Sequence, residues 1–595
     1  MTRARDLADG ADKDITGTLT TDGLTVAGNV SVDGGTIKLD GNYPVGTDNV
    51  ALGNTAFDAV TSGIQNTAIG ANSMTANTSG TNNSAVGRSS LAANTTGNEL
   101  TALGTNSLAL NTTGSYNTAL GSSALVSNTT GTRNTAAGFG AYDINTTGSY
   151  GVAIGTYALD ANTTGSSNTA VGDSALSANT TAASNTAVGQ ASLAANTTGT
   201  ENDAHGSLAL ATNTTGSQNS AFGSQALRFH TTASYNTAVG RAALYSNTTG
   251  STNTAVGRNS LVGNTTGSQN TSVGQQSLNG NTTANNNTAV GYQSVYANST
   301  GTENTGLGGF ALYANTTADY NTSVGYASLQ TNTTGASNSA LGRSALESNT
   351  TASNNTGIGY HALRLNTTGA SNTALGFQAG YSNTTAANNS FVGFAVGYAN
   401  TTGTENVGVG GQGASSNTTL RFNTTGSSNT AIGIGALQAN TTASQNTAVG
   451  NLAGYNNTTA VDNSFFGQNA GYSCTEGFSN TFIGRAAGYY VTTGDGNTFI
   501  GGGVSGSQFS AGFYVTTGSK NTIVGNYNGN QGGLDIRATD NYIVLSDGDG
   551  NPRLFMTNNG YIHSDPTYAN TSGGTANVGI ASSGQFYRST SSLRY

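Results

Sequence analysis

Asn236-Thr-Ala-Val-Gly-Arg-Ala-Ala-Leu-Tyr-Ser-Asn-Thr-Thr-Gly-Ser-Thr252 is one copy of a 17-residue unit that repeats along most of the chain. Its glycine, Gly240, belongs to a series that starts at Gly53 and runs at an interval of 17 to Gly410, giving 22 copies in one phase. After six extra residues the phase resumes from Gly433 to Gly501 for five copies, and after seven more it returns at Gly525. A fixed period of this kind implies stacked, near-identical coils.

Seventeen residues are too few for a pair of helices, and Val, Thr and Gly are poor helix formers. Each unit therefore reads as one coil of short parallel strands joined by tight turns, and the chain as an all-β parallel β-roll or β-solenoid of about 28 coils. Four positions before the glycine stands Asn in all copies but two, Leu100 and Gly151. An Asn column, represented by Asn66, Asn117, Asn236 and Asn253, ties successive coils through its amides at one corner. No proline lies between Gly53 and Gly525; Pro44, Pro552 and Pro566 fall outside, so every turn needs its backbone N–H.

One position before the glycine the residue is apolar in all copies but one, His205. The Ala-Val pair places consecutive apolar side chains on opposite faces of a strand, and both faces need cover. One fills the coil. The other calls for a partner, and three chains packed or intertwined about a common axis supply it, so the pattern predicts a homotrimer. At about 4.8 Å per coil the shaft is about 130 Å long.

The composition of the 595-residue chain agrees with a repetitive fold: 86 Gly, no Trp and only 8% charged residues do not build ordinary globular cores. Apolar residues at fixed spacing argue against disorder. The net charge is −9 and no Lys/Arg cluster is present, so nucleic acid is not an expected partner. The N-terminal Met1-Thr-Arg-Ala-Arg-Asp-Leu-Ala-Asp-Gly10 has no apolar run after its basic residues, and no stretch of about 20 apolar residues occurs, so neither conventional export nor membrane insertion is expected. Cys474, the lone cysteine, excludes a disulfide framework and reads as a small buried filler. No paired carboxylates, Ser-His-Asp set or nucleotide loop is visible, so neither an enzyme nor a cofactor is expected.

Several residues carry competing readings. His205 binds an ion where copies converge, or is a neutral histidine satisfied locally. Asp547-Gly-Asp549-Gly-Asn551 begins like a calcium loop, but Pro552 stands where that loop needs glycine and the hairpin-turn reading is favoured. Each Asn-Thr-Thr is formally a glycosylation acceptor or a structural turn. Rows of Thr suggest ice binding, but adjacent threonines on a strand point to opposite faces and make no outward array. Towards the C-terminus Ala-Leu gives way to Ala-Gly-Tyr or Val-Gly-Tyr, which puts Tyr381, Tyr398, Tyr455, Tyr472 and Tyr489 in one register, as a packing ladder or a sugar-stacking surface. The phase breaks are read as loops bulging around Thr419 to Phe422 and Ser507 to Phe513. Candidate receptor-binding residues are thus Arg421, Phe422, Tyr472, Tyr489, Tyr490, Phe509, Phe513 and Tyr514, with Tyr568 and Tyr587 from the Tyr-rich end.

The run Asn-Thr-Ala-Val-Gly with Ala-Leu and Asn-Thr-Thr-Gly resembles the β-roll repeats of YadA-type trimeric adhesin heads, and is closer to those of long repeat-bearing phage tail fibres. Thr16 to Gly34 looks like the strand–turn segment near the base of tail fibres, and Asn541 to Met556, physically two strands about an Asp-Gly turn, like the segment before their cleavable intramolecular chaperone. Tyr587 to Tyr595 is similar to the junction where that chaperone, absent here, begins. The resemblance implies a virion-attachment stub (1–14) that holds tail proteins, a β-rich base (15–48), a shaft (49–525) and a distal tip (526–595) that binds a host surface glycan or protein by multivalent contacts. It places the chain on the virion, outside the cell. A cell-surface trimeric adhesin or extracellular matrix filament is the alternative.

Overall fold

The computed structural model describes residues 47–411, 417–504, 508 and 510–564, together with the backbone of 578–580 and 586–588. The attachment stub, nearly all of the base, Phe509, Tyr568 and the side chain of Tyr587 lie outside the described residues.

The 17-residue period builds a parallel β-solenoid, and no helix occurs among the described residues. Strands β1 (Val50–Leu52) to β28 (Thr522–Val524) have three residues each and pair one above the next in strict register, so that Thr237, Ala238 and Val239 face Thr254, Ala255 and Val256. The ladder outlasts the visible period by one turn. A two-stranded hairpin, β29 (Asn530–Gln531) and β30 (Leu534–Asp535), loops out after Val524, and β31 (Ile543–Ser546) then adds in parallel with Thr522 opposite Ile543, giving about 29 turns. Here Tyr542 takes the corner position of an Asn, receiving Thr522 N on its carbonyl at 2.7 Å. β32 (Pro552–Met556) and β33 (Ile562–Ser564) fold back antiparallel and close the ladder. A separate pair, β34 (Val578–Ile580) and β35 (Phe586–Arg588), is antiparallel.

Each coil carries a single strand; the sequence suggested several. The rest of the turn is irregular yet still bonded to its neighbours, as in Leu244 N to Ser260 O (3.0 Å), Ser246 N to Val262 O (3.1 Å) and Thr248 N to Thr265 O (2.8 Å). That accounts for the absence of proline, which has no N–H to give. The path bends through left-handed residues at the second, fourth and twelfth positions after the glycine, for example Ala242, Leu244 and Thr252 with φ of 55°, 51° and 59°. Such backbone costs a non-glycine residue about 1–2 kcal/mol, so the ladder and the buried side chains must hold it. At the repeat glycine itself the stacking is tighter: a Cβ on Gly240 would come 2.8 Å from the carbonyl of Gly257, which admits only glycine.

The coil interior is filled by the strand alanine and the leucine four positions after the glycine, both fully buried at Ala238 and Leu244. Two Asn columns line the opposite corner. In one, Asn253 N donates to Asn236 Oδ1 (3.0 Å) while Asn253 Nδ2 donates to Gly267 O (2.8 Å). Asn66 and Asn117 accept likewise from Asn83 N and Asn134 N. In the second, Asn264 Nδ2 donates to Asn247 Oδ1 and Gly267 O, both at 2.8 Å. Gly151, an exception to the first column, is explained by Tyr142: its buried ring fills the space of the missing amide, and its hydroxyl donates to Gly165 O (3.2 Å) in the amide's place.

The change of motif towards the C-terminus is an exchange of volume inside the coil. Where Leu becomes Gly454, Gly471, Gly488 or Gly512, the strand alanine becomes Phe465, Phe482 or Phe499, fully buried and stacked at 5.5 and 4.9 Å. A Cβ on Gly488 would come 2.5 Å from the Phe482 ring. Ring and glycine are therefore one packing decision, and the glycine also relieves the left-handed strain (φ 64°).

Candidate recognition surface

Side chains that leave the coil do so in rows, because the turn above repeats the turn below. At the fifth position after the glycine, Tyr381 and Tyr398 stack at 5.0 Å, Tyr455 on Tyr472 at 5.1 Å, Tyr472 on Tyr489 at 4.9 Å and Tyr489 on Phe513 at 5.1 Å. The planes lie within 3–22° of each other, so both faces of Tyr472 and of Tyr489 are covered by other rings, and what remains towards solvent is edge and hydroxyl. Burial raises the Tyr489 pKa above its ordinary value, with Tyr472 and Tyr490 adding to the effect. Tyr490, at the sixth position, is 43% exposed and lies parallel to Tyr514 at 6.0 Å. Tyr514 donates its hydroxyl to Gln508 Oε1.

The first phase break falls before the residues the sequence named, and the second overlaps its named range only as far as Ser510. Thr419 and Leu420 are buried in a regular turn, with Leu420 N bonded to Ala436 O (3.1 Å), and Arg421 and Phe422 occupy the ordinary fifth and sixth positions. Ala511 N bonds to Gly501 O (3.2 Å) as its equivalents do elsewhere, so Phe513 and Tyr514 are also in register. In both turns the added residues lie between the repeat glycine and the third position after it, where the regular hydrogen bonds resume. That corner tolerates them because the hydrogen-bonded register closes again within the same turn. Arg421 lies over Tyr398 (6.0 Å) and Phe422 (5.6 Å), and Phe422 is 48% exposed. Tyr455 reaches back with its hydroxyl to Asn417 Oδ1 at 3.3 Å.

The outward row for which the sequence called for a partner runs the length of the shaft: the residue before each glycine, or its equivalent. It includes Leu52, Leu103, Leu120, Phe222, Leu341, Leu375, Ile432, Ile500 and Leu545, half-exposed, whereas the strand alanine beside it is buried. The signal was the Ala-Val pair itself.

His205 sits in this row facing outward, with Nε2 2.8 Å from Asp203 Oδ1 and its ring stacked on Phe222 at 4.9 Å. No cluster of three or more potential metal-ligating side chains occurs among the described residues. Asp547 is a turn residue: its carboxylate accepts from Asn551 N (2.8 Å) and Arg553 Nε (2.9 Å). Desolvation works to raise its pKa, but these bonds prevail and bring it down to about 2. The seventh-position Asn of the Asn-Thr-Thr in each regular turn is buried, with its amide engaged as in Asn264, so the folded acceptor is inaccessible there; Asn417, in the Asn-Thr-Thr beside the first insertion, is half-buried.

The adjacent threonines do not point to opposite faces. The segment is no strand, and burial there runs in threes: Asn247 buried, Thr248 half-buried, Thr249 exposed, Gly250 buried. The Thr248 hydroxyl is taken up by Thr265 O (3.0 Å), leaving one exposed Thr file. Its neighbour at the twelfth position varies from Tyr235 to Thr252 to Gln269, so no flat two-dimensional lattice forms.

The chain is thus defined as a repeat β-solenoid with aromatic rows on its surface. Comparison with protein-family models, curated proteins and solved structures finds no match. No helix among the described residues is long and apolar enough to cross a membrane.

Proposed function

We propose that the chain is the receptor-binding fibre of a phage tail, a homotrimer that stands on the virion, holds tail proteins through its N-terminal part and reaches a host surface glycan or protein with its distal turns. The observation that carries the reading is the combination of about 29 turns in one register with a continuous file of stacked rings, Tyr455, Tyr472, Tyr489 and Phe513, in the last turns before the C-terminal hairpins. A long ladder of turns with rings displayed along it suits reach followed by multivalent contact.

Self-association is supported by the outward apolar row. It runs along the whole ladder and amounts to on the order of 1,500 Å² of exposed hydrocarbon, within the range of stable interfaces and beyond what monomers usually leave bare. An occupant has to offer apolar groups at the same rung spacing over the same length, which a second copy of this chain does. The row is one residue wide, a ridge and not a face, and three ridges meet about a threefold axis more completely than two.

Recognition is assigned to Phe422 and Tyr490, which are exposed, together with the half-buried Tyr514 beside Tyr490, in preference to Tyr472 and Tyr489, whose faces are covered. Full-length chain competing with particles for host cells tests this. Tyr490→Ser, Tyr514→Ser and Phe422→Ser together should abolish competition, whereas Tyr472→Phe should not. Immuno-electron microscopy that labels cell envelopes free of particles, and no tails, would replace the phage reading with the adhesin one.

A further inference from the structure

A perfectly repeated apolar ridge is degenerate: copies of it slide past each other by one rung with almost no change in contacts. One rung breaks the degeneracy. β10 (Asp203–His205) bears His205 where every other rung from β1 to β28, and β31, bears Ala, Val, Leu, Ile or Phe. It also bears Asp203 where the others have Thr, Ser, Val or Ile. The two exceptions meet, Nε2 to Oδ1 at 2.8 Å, with side chains 40% and 42% exposed, and the imidazole lies flat on Phe222 of the next rung at 10°.

We infer that the Asp203–His205 rung sets the register of self-association, holding copies parallel and in phase; this rests on the association through the apolar ridge proposed above. With copies at the same height, each pair meets only its own equivalents, polar edge beside polar edge. Shifted by one rung, the pair lies against Val188 or Phe222 of the next copy. In a centred antiparallel overlap it lies against β20 (Thr373–Leu375), whose Leu375 is 45% exposed. Both alternatives press the polar Asp203–His205 pair onto hydrocarbon that offers its remaining polar atoms no hydrogen bond, which is unfavourable. A single polar residue in an apolar seam fixes the register of coiled coils for the same reason.

The test uses full-length chains carrying Leu341→Cys or, one rung further on, Ile358→Cys, mixed and refolded together, then mildly oxidised. Cys474 is fully buried and does not compete. Like-with-like disulfides should exceed mixed disulfides at least ten-fold. In an Asp203→Thr/His205→Val background, mixed disulfides should rise to the level of like-with-like, with the mass by light scattering unchanged. That double variant only recreates the Thr-Ala-Val rung found at β13 (Thr254–Val256), so its folding is not in question. Mixed disulfides already abundant in the native chain, or a strict register retained in the double variant, overturn the inference. A monomeric mass for the native chain instead refutes the association beneath it.

Discussion

Replacing His230 with Asn should stabilise the solenoid and remove a specific acid sensitivity. His230 occupies a position in the second Asn column, fully buried. Its Nε2 lies 2.6 Å from Ala233 O and its Nδ1 accepts Asn247 Nδ2 at 3.1 Å, which fixes the neutral ring with the proton on Nε2. An Asn there would also donate to the column below; histidine does not, and Asn213 Oδ1 is left buried without a donor. Supplying that donor is worth about 1–3 kcal/mol. Desolvation lowers the His230 pKa to about 4, against the weaker opposing effect of the Ala233 carbonyl. The unfolded chain titrates near 6.5, so between about 6.5 and 4 it holds more protons than the folded one and stability falls as pH falls. The loss approaches about 3 kcal/mol at this site. Hydrogen exchange at Thr231 N and Thr248 N, both in inter-turn bonds, reads it out. Their exchange, corrected for intrinsic rates, should accelerate on the order of 100-fold from pH 7.5 to 4.5 in the native chain and little in His230→Asn. Equal acceleration in both would refute the argument.

Cys474 makes the same defect in the same column, donating to Gly477 O (3.3 Å) and leaving Asn457 Oδ1 without a donor, so Cys474→Asn should raise the urea midpoint by an amount equivalent to about 1–3 kcal/mol. Burial also pushes its thiol up to about 12, so alkylation at pH 8 should occur only on unfolding. Phe482→Ala should cost about 3–5 kcal/mol by leaving a cavity, and Gly488→Leu should destabilise by collision with the ring. The double variant, which restores the Ala and Leu of earlier turns, should recover more than half of the combined loss in a mutant cycle followed by denaturant unfolding. Tyr142→Leu should likewise be rescued by Gly151→Asn, whose amide takes over the hydroxyl's bond to Gly165 O.

The period alone determined that the chain is a parallel solenoid and which residues lie directly above which. Copies in one phase can bury one face and saturate their backbone only by stacking in register, whatever each turn does in detail. The inward Ala and the apolar row beside it were legible for the same reason. The path within a turn was not, because left-handed residues such as Leu244 leave no trace in composition, and with them went the orientation of Thr248 and Thr249. Nor was the true corner of the insertions, since a sequence shows that residues are added but not where the hydrogen-bonded register closes again. Tertiary structure alone decided that stacking covers the faces of Tyr472 and Tyr489, and that Tyr542 starts one more turn although the repeat motif has ended. Both follow from contacts made one turn away, where packing and not local preference chooses the conformation.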